Sequence, residues 1–270
     1  TKLSKYVMTK NNLLLITFII IINSCAAVET SNLPESLTVI PEVNENQKFI
    51  DYLDSDWEQT LINNPLFATY TGDKRFNDKI NPNTIDQFNK VRNQDLESLK
   101  KLMAINEEKL DKDNKLNYKL KKFDIESDLN LSQFPIYYLR LNQRGGIQSF
   151  YETGNRLVYQ SKKDYEDWLN RLSQFTENIY TFLEINKEGL EKGYTQPKLV
   201  TRGVISQIDA IINSDIELNP YLKVFLEANE EYFSKDEKEK LINDAKQLIQ
   251  KEINPAYESL NNFLKNQYLI

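Results

Sequence analysis

The polar stretch 142–146, which reads Asn-Gln-Arg-Gly-Gly, holds the residues of this chain best suited to binding a ligand. Its amide side chains and guanidinium can bond to a carboxylate or a carbonyl, and its glycine pair lets backbone N–H groups come close to such a group. A tight double-glycine turn is the second and favoured interpretation, because asparagine and glutamine side chains readily satisfy buried backbone groups at neighbouring helix ends. The candidate contacts to a substrate in a cleft are Asn142, Gln143, Arg144, Gly145 and Gly146.

No histidine occurs among the 270 residues, which excludes the most common site of zinc peptidases. That site uses two histidines on one helix as metal ligands and a glutamate between them as general base. The single cysteine, Cys25, excludes a zinc site built from several cysteines and an internal disulfide framework. No phosphate-binding loop, nucleophile elbow or calcium-loop spacing occurs either. The sequence therefore predicts no catalytic residue, no metal ligand and no cofactor within this chain.

The net charge of the chain limits the classes of molecule that it is expected to bind. The formal net charge is −6, and no basic stripe runs among aromatic residues, so a nucleic-acid partner is not expected. The carboxylates of Asp54, Asp56 and Glu58 could in principle serve a glycosidase, which needs two of them close together. On one helix they point in different directions, which is typical of a solvated face.

Seven glycines and eight prolines are few for this length, and this predicts an all-α fold of long helices. Apolar residues recur at helical spacing along most of the chain after residue 45. The predicted inward stripes lie within 49–61, 85–102, 116–129, 165–183, 200–212, 241–253 and 257–264. The third stripe consists of Leu116, Leu120, Phe123 and Leu129.

Residues that start and stop helices separate these stripes. Two pairs have the spacing of capping boxes, Ser161 with Asp164 and Ser234 with Glu237. Asn83 or Thr84 is the expected N-cap of the second helix, and Pro197 is expected to open another. Two glycines, Gly72 and Gly193, are expected to end helices, and Pro255 predicts either a kink or a new helix.

The segment 133–159 interrupts the helical pattern and contains the polar stretch. Its alternating apolar residues and its glycines allow a short strand or hairpin, and an ordered loop fits equally well. The last stripe, which includes Tyr257 and Leu264, runs to Ile270 without a cap or a polar tail. We therefore expect that stripe to pack against protein beyond Ile270, as it would in a truncated domain. The alternative is a complete chain whose open stripe is an interaction surface.

The first residues are predicted to be a targeting signal. A short basic start after Met8, an apolar run at 13–22 and the small residues that follow are the three regions of a secretory signal peptide. The run is too short to span a membrane. The sequence Ile-Asn-Ser-Cys ending at Cys25 resembles the lipobox of bacterial lipoproteins, in which the cysteine is lipidated. Cleavage near Ala26 without an anchor is the alternative.

These features predict three regions. Residues 1–25 are the signal peptide, and 1–7 precede the plausible start codon; 26–44 are a flexible tether; and 45–270 are a helical domain truncated at its C-terminal end. The expected location is the bacterial cell envelope, reached by secretion across the inner membrane. There the lipid on Cys25 would hold the protein to a membrane, the outer one in a Gram-negative cell.

Four motifs, taken in order, resemble one bacterial family. They are Asn-Pro-Leu-Phe-Ala-Thr-Tyr-Thr-Gly-Asp-Lys-Arg-Phe-Asn-Asp at 64–78, Asp-Asn-Lys-Leu-Asn-Tyr at 113–118, Leu-Asn-Gln-Arg-Gly-Gly at 141–146 and Asp-Tyr-Glu-Asp-Trp-Leu-Asn-Arg-Leu at 164–172. On these residues the chain is similar to the "domain of unknown function 885" family, many of whose members are predicted lipoproteins. The likeness runs from about residue 49 to the end.

The resemblance implies a multi-helix array like the N-terminal half of the neurolysin and angiotensin-converting-enzyme peptidases, with an irregular excursion near 133–160. It also implies a zinc-binding His-Glu helix in the second half of a longer chain, which nothing here matches. We therefore expect the N-terminal scaffold half of a secreted, lipid-anchored, zinc-dependent peptidase-like protein with a peptide substrate. This half would be inactive alone, and zinc is expected only with the missing half. The alternative is a non-catalytic envelope lipoprotein that binds a peptide or a protein partner through 133–159.

Overall fold

The computed structural model describes residues 44–269, which form helices joined by turns, with no β-strand in that range. This confirms the prediction of an all-α fold. The predicted signal peptide, the lipidation site Cys25 and the tether up to residue 43 lie outside the described residues. The α-helices are α1 (Glu45–Asn63), α2 (Pro65–Tyr70), α3 (Ile85–Met103), α4 (Lys112–Leu131), α5 (Tyr151–Arg156), α6 (Lys162–Glu191), α7 (Lys198–Ile212), α8 (Lys223–Leu226), α9 (Lys235–Leu248) and α10 (Asn254–Phe263).

Most of the expected helix boundaries are confirmed by local hydrogen bonds. Thr84 caps α3, and Ser234 forms a complete capping box with Glu237 at the start of α9. Gly72 and Gly193 take φ values of 91° and 80°, which glycine adopts without strain, directly after α2 and α6.

The capping box expected at Ser161 is wrong. No side-chain cap bond forms at this position, although α6 begins at the next residue as expected. The Asp164 carboxylate instead accepts the Gln160 N–H at 2.8 Å and the Ser161 hydroxyl at 3.0 Å. It also pairs with Lys74 at 3.2 Å, so a distant cation competes for the group that the local motif would use.

A small core joins α1, α3 and α4, and its buried residues are Phe49, Tyr52, Leu102, Ile105, Leu110, Tyr118 and Ile125. A chain of polar contacts fixes the three helices to one another. The Tyr52 hydroxyl lies 2.8 Å from the Ser98 hydroxyl, which donates to Asp56 at 2.9 Å. Asp56 also pairs with Lys121 of α4 at 2.5 Å. Asp56 therefore belongs to the framework between helices rather than to a freely solvated face.

The predicted inward face of α4 is wrong for three of its four residues, and only Leu129 packs, partly buried, against the small core. Leu116, Leu120 and Phe123 are 58%, 57% and 71% exposed, whereas Tyr118 and Ile125 are buried. The Tyr118 ring packs 6.0 Å from Phe49, and an aromatic ring buries more apolar area than a leucine. Apolar residues occupy two faces of this helix, and the tertiary contacts with α1 and α3 select the one with the tyrosine.

A large core surrounds α6, whose 30 residues span about 45 Å. The helices α7 and α10 pack along it, and the chain from α9 to Tyr268 is continuously helical. Pro255 lies in the first turn of α10, after a π-helical turn at Ile249–Ile253. The proline therefore lies inside a continuous helical run, at the start of its α10 segment, and the wider turn accommodates its missing N–H.

The expectation that the last stripe is open is wrong for the described residues. Tyr257, Leu260 and Leu264 are fully buried, and Phe263 is almost fully buried, within the large core. The Tyr257 hydroxyl also lies 2.6 Å from that of Tyr221. The stripe is covered by α6 and α7 of the same chain, so it offers no free apolar surface.

The segment 133–159 is an ordered loop rather than a hairpin. It contains two 3₁₀ turns, Ile136–Leu139 and Ile147–Ser149, followed by the short helix α5.

Candidate functional site

A cleft of about 1320 Å³ opens between the small core and the large core. One wall is formed by α3, the end of α4 and the junction of α1 with α2. The other wall is formed by the loop 134–156, with α6 behind it. We call this the central cleft.

Arginine is concentrated in the central cleft and lysine is missing from it. Four of the seven arginines in the chain line the cleft, whereas no lysine of the described residues does. Arg156 donates to Glu152 at 2.6 Å. The other three form no ion pair with a carboxylate of the described part of the chain; they are Arg92, Arg140 and Arg144. In a chain with an excess of acidic residues, such unpaired guanidinium groups favour an anionic ligand.

Arg140 lies against an aromatic group on α3. Its guanidinium is 5.3 Å from the centre of the Phe88 ring, and it donates to the side-chain oxygen of Asn83. The Phe88 ring is also 5.6 Å from that of Tyr137, so aromatic rings support the guanidinium. Loss of hydration between the cleft walls lowers the pKa of Arg140 below its ordinary value. Arg92 follows Phe88 by one helical turn, so both project from the same face of α3.

The loop that carries Arg140 is anchored to the end of α6. Tyr138 donates to Glu188 at 2.6 Å and accepts from Lys192 at 2.8 Å. Gly189 lets the Tyr138 ring lie directly on the helix, because a Cβ there would come within 3.1 Å of the tyrosine side chain. Gln196 donates to the carbonyl of Leu139, one residue before Arg140. These bonds fix the backbone while the guanidinium faces the cleft.

The next residues are anchored to α7 and to the following turn. Gln207 donates to the carbonyl of Gln143 at 3.0 Å, and the buried Gln148 side chain donates to the carbonyl of Asn142 at 2.9 Å. Gly203 of α7 is in direct contact with the side chain of Gln143. Interactions with the core therefore fix the backbone of the polar stretch.

Four of the five residues of the polar stretch line the central cleft. Asn142, Arg144, Gly145 and Gly146 line the central cleft, whereas Gln143 faces α7 instead. The Asn142 side chain accepts the Arg144 N–H at 2.9 Å, so it holds its own turn rather than a helix end.

The two glycines differ in the space around them. A Cβ on Gly146 would come within 2.5 Å of the Gln148 side chain, but one on Gly145 would have no neighbour within 4 Å. Gly146 is therefore needed for packing, whereas Gly145 leaves space beside the cleft.

Two carboxylates line the cleft near the end of α4. Desolvation is the main cause that raises the pKa of Asp95 to about 6, and the charges of Asp128 and Asp56 raise it further. Lys121 opposes them but pairs directly with Asp56. The cleft thus has a cationic region around the loop and an anionic one at Asp95 and Asp128.

The described residues contain no group of three or more histidine, cysteine, aspartate or glutamate side chains placed to hold a metal ion. The whole chain also lacks histidine, so the residues present do not fit the zinc site that the family resemblance implies. Between residues 44 and 269, none of the helices has the length and apolar character needed to cross a membrane.

The sequence from 65 to 270 matches the family model described as "Bacterial protein of unknown function (DUF885)". The chain belongs to this family. The family match that the four motifs predicted is therefore confirmed. Nearly all residues that line the central cleft lie within the matched region.

The fold is similar to a chain in the crystal structure of "the putative lipoprotein from Colwellia psychrerythraea", with a TM-score of 0.69 and 18% identity. The similarity covers 84% of this chain and 41% of that chain, so the present chain spans about two fifths of that structure. A search of the curated proteins found no match.

Two cleft residues of this DUF885 protein, Arg92 and Arg140, were not among the sequence candidates. Arg140 lies one residue before the motif at 141–146, and Arg92 lies 48 positions earlier. The available signal was the residue type. Lysine is the common cation of this chain, so an arginine is a candidate for a position that needs a planar fork of donors.

Proposed function

We propose that the central cleft binds a peptide, and that this chain is the peptide-binding scaffold of a peptidase-like DUF885 protein of the bacterial cell envelope. The observation that carries the proposal is the set of four arginines in a cleft without lysine. A guanidinium presents donors in a fixed plane that matches carboxylate and carbonyl groups, whereas an ammonium is a strongly hydrated point charge.

Amide side chains support a peptide ligand. The cleft lining includes nine asparagine or glutamine residues: Asn63, Asn64, Asn81, Asn83, Gln87, Asn89, Asn142, Asn178 and Gln196. An amide side chain both donates and accepts, as the peptide backbone does. Several of them hold the walls together, and Gln87 and Asn89 form no side-chain hydrogen bond within the described part of the chain.

The proposed share of this chain is binding, and no hydrolytic step is assigned to its residues, because they do not fit zinc. Lipid attachment at Cys25 is part of the proposal and is supported by the lipobox-like sequence and by the description of the structural neighbour as a lipoprotein. The lack of histidine also favours a second candidate, a non-catalytic envelope lipoprotein that binds peptides in the same cleft.

A blocking substitution tests the proposal. Gly145→Trp should fill the cleft beside Arg144 without a clash, because Gly145 has open space at its Cβ and an ordinary backbone conformation. Leu218→Trp is the matched control, since Leu218 is 75% exposed and lies outside the cleft. Fluorescein-labelled pentapeptides and fluorescence anisotropy would report binding.

We expect saturable peptide binding that Gly145→Trp weakens at least tenfold and Leu218→Trp leaves unchanged. The peptides should remain intact with or without added zinc. Binding that is equally strong in both variants would place the ligand elsewhere and refute the proposal. Chelator-sensitive cleavage by the purified protein would refute the assignment of a binding role alone.

A further inference from the structure

We infer that Arg92 and Arg140, which both line the central cleft, form a carboxylate-binding subsite there. The inference rests on the proposed peptide binding and names the chemical group that the cleft selects. It assigns the subsite to a peptide carboxylate, with the C-terminal one as the first expectation.

The first support is the shared position of the two guanidinium groups. Phe88 and Arg92 project from the same face of α3, one turn apart. Arg140 comes from the opposite wall and lies over the same Phe88 ring, 5.3 Å from its centre. Arg140 therefore packs against the face of α3 from which Arg92 also projects, although the two arginines are far apart in the sequence.

The second support is the lack of a counter-ion in the protein. Lysine and arginine side chains form numerous ion pairs elsewhere, yet no such pair includes Arg92 or Arg140 within residues 44–269. Asp95 lies one turn beyond Arg92 on α3, but the charges that act on it come from Asp128, Lys121 and Asp56. An anionic ligand would supply the compensation that the protein does not.

The third support is that the site is held in place before a ligand arrives. Arg140 is fixed by Asn83 and by Phe88, and its backbone is anchored through Tyr138 and Gln196. A guanidinium that is already oriented loses less side-chain freedom when it binds.

A terminal carboxylate suits the surroundings better than an isolated anion. The rings of Phe88 and Tyr137 lie beside the Arg140 guanidinium and offer an apolar surface to the last side chain of a peptide. Asn89, on the adjacent turn of α3, offers an amide to the backbone next to the carboxylate. An acidic side chain within a peptide carries the same group, and the experiment must separate the two sources.

The experiment compares three fluorescein-labelled pentapeptides by anisotropy. One ends in phenylalanine with a free carboxylate, the second is its C-terminal amide, and the third is the amide with glutamate as its fourth residue. Each is measured with the wild-type protein and with Arg92→Met and Arg140→Met. Arg202→Met is the matched control, since Arg202 is an exposed arginine outside the cleft.

We expect the free acid to bind about tenfold or more tightly than the amide, as for loss of one charged hydrogen-bonded contact. Arg92→Met and Arg140→Met should each remove most of that difference between acid and amide, and Arg202→Met should leave the difference intact. Tight binding of the glutamate peptide, lost in the same variants, would support the subsite with a side-chain carboxylate as its source. Equal binding of acid and amide in every variant would overturn the inference while peptide binding in the cleft stands.

A second measurement separates the inference from the proposed function if no peptide binds. Citrate is titrated into the protein, and the arginine Nε–Hε signals are followed by NMR, with assignments from the three variants. Saturable shifts of Arg92 and Arg140, but not of Arg202, would support the carboxylate subsite although peptide binding had failed. No shift, or equal shifts of all three, would overturn the inference.

Discussion

Replacement of Arg171 by methionine is expected to destabilise the protein by about 3–5 kcal/mol. Arg171 lies on α6 and is only 1% exposed. Its Nε donates to the carbonyl of Lys79 at 2.7 Å. Its Nη2 donates to the carbonyls of Phe76 and Pro65 at 2.9 and 3.2 Å and to the Thr69 hydroxyl. One guanidinium thus holds the α2 region and the turns after it against the large core.

The size of this destabilisation follows from the hydrogen bonds that methionine cannot make. A hydrogen bond to a charged group contributes about 1.5–3 kcal/mol, and a buried acceptor that loses its donor costs about 1–3 kcal/mol. Methionine has a similar length but donates to none of the four acceptors of Arg171. The full sum is not expected, because the turn that carries Phe76 and Lys79 lies near the surface and can shift towards water. Burial already lowers the pKa of Arg171 to about 10, so its removal also relieves part of a desolvation penalty.

Urea denaturation followed by circular dichroism measures the change in the free energy of unfolding. Arg202→Met is the matched control and should change it by less than about 0.5 kcal/mol, because the exposed Arg202 has no comparable bonds. Hydrogen exchange should increase more at residues 65–80 than in α10, since the lost bonds end in that segment. Destabilisation of less than about 1 kcal/mol, together with unchanged exchange at 65–80, would refute the reasoning.

Three further predictions test the loop, the anionic region and α4. Gly146→Ala should lower the midpoint of thermal unfolding by several degrees, because its Cβ would come within 2.5 Å of a buried amide oxygen, whereas Gly145→Ala should leave the midpoint unchanged. Asp95→Asn should make no difference to stability below about pH 4 and should stabilise the protein by about 1–2 kcal/mol above pH 6, as measured by denaturation at both pH values. The sign follows because the folded pKa of Asp95, about 6, lies above the unfolded value of about 3.9, so folding opposes ionisation of this half-buried group. A larger gain in stability at the acidic pH would contradict this sign. Ile125→Ala should destabilise the protein by about 2–4 kcal/mol because Ile125 is buried, and Phe123→Ala by less than about 0.5 kcal/mol because Phe123 is 71% exposed. The reverse order of the two effects in denaturation would show that the other face of α4 is covered.

Features that depend on neighbours along the chain could be predicted from the sequence. The helices of the described region, the capping box at Ser234 and the glycine stops at Gly72 and Gly193 all follow from residues within one or two turns. Helical periodicity and capping are local, so one sequence carries their signals. The four family motifs were also legible in the sequence, and the match over residues 65–270 agrees with them.

Only the tertiary structure decided which of two possible partners a residue meets. The face of α4 with Tyr118 is buried instead of the one with Leu120, and Tyr257 is covered by helices of its own chain. Arg140 packs over Phe88, on the helix face that also carries Arg92, although 48 residues separate the two arginines. Local patterns cannot fix such choices, because the free energy of burying a face or pairing a charge depends on the segments that fold against it.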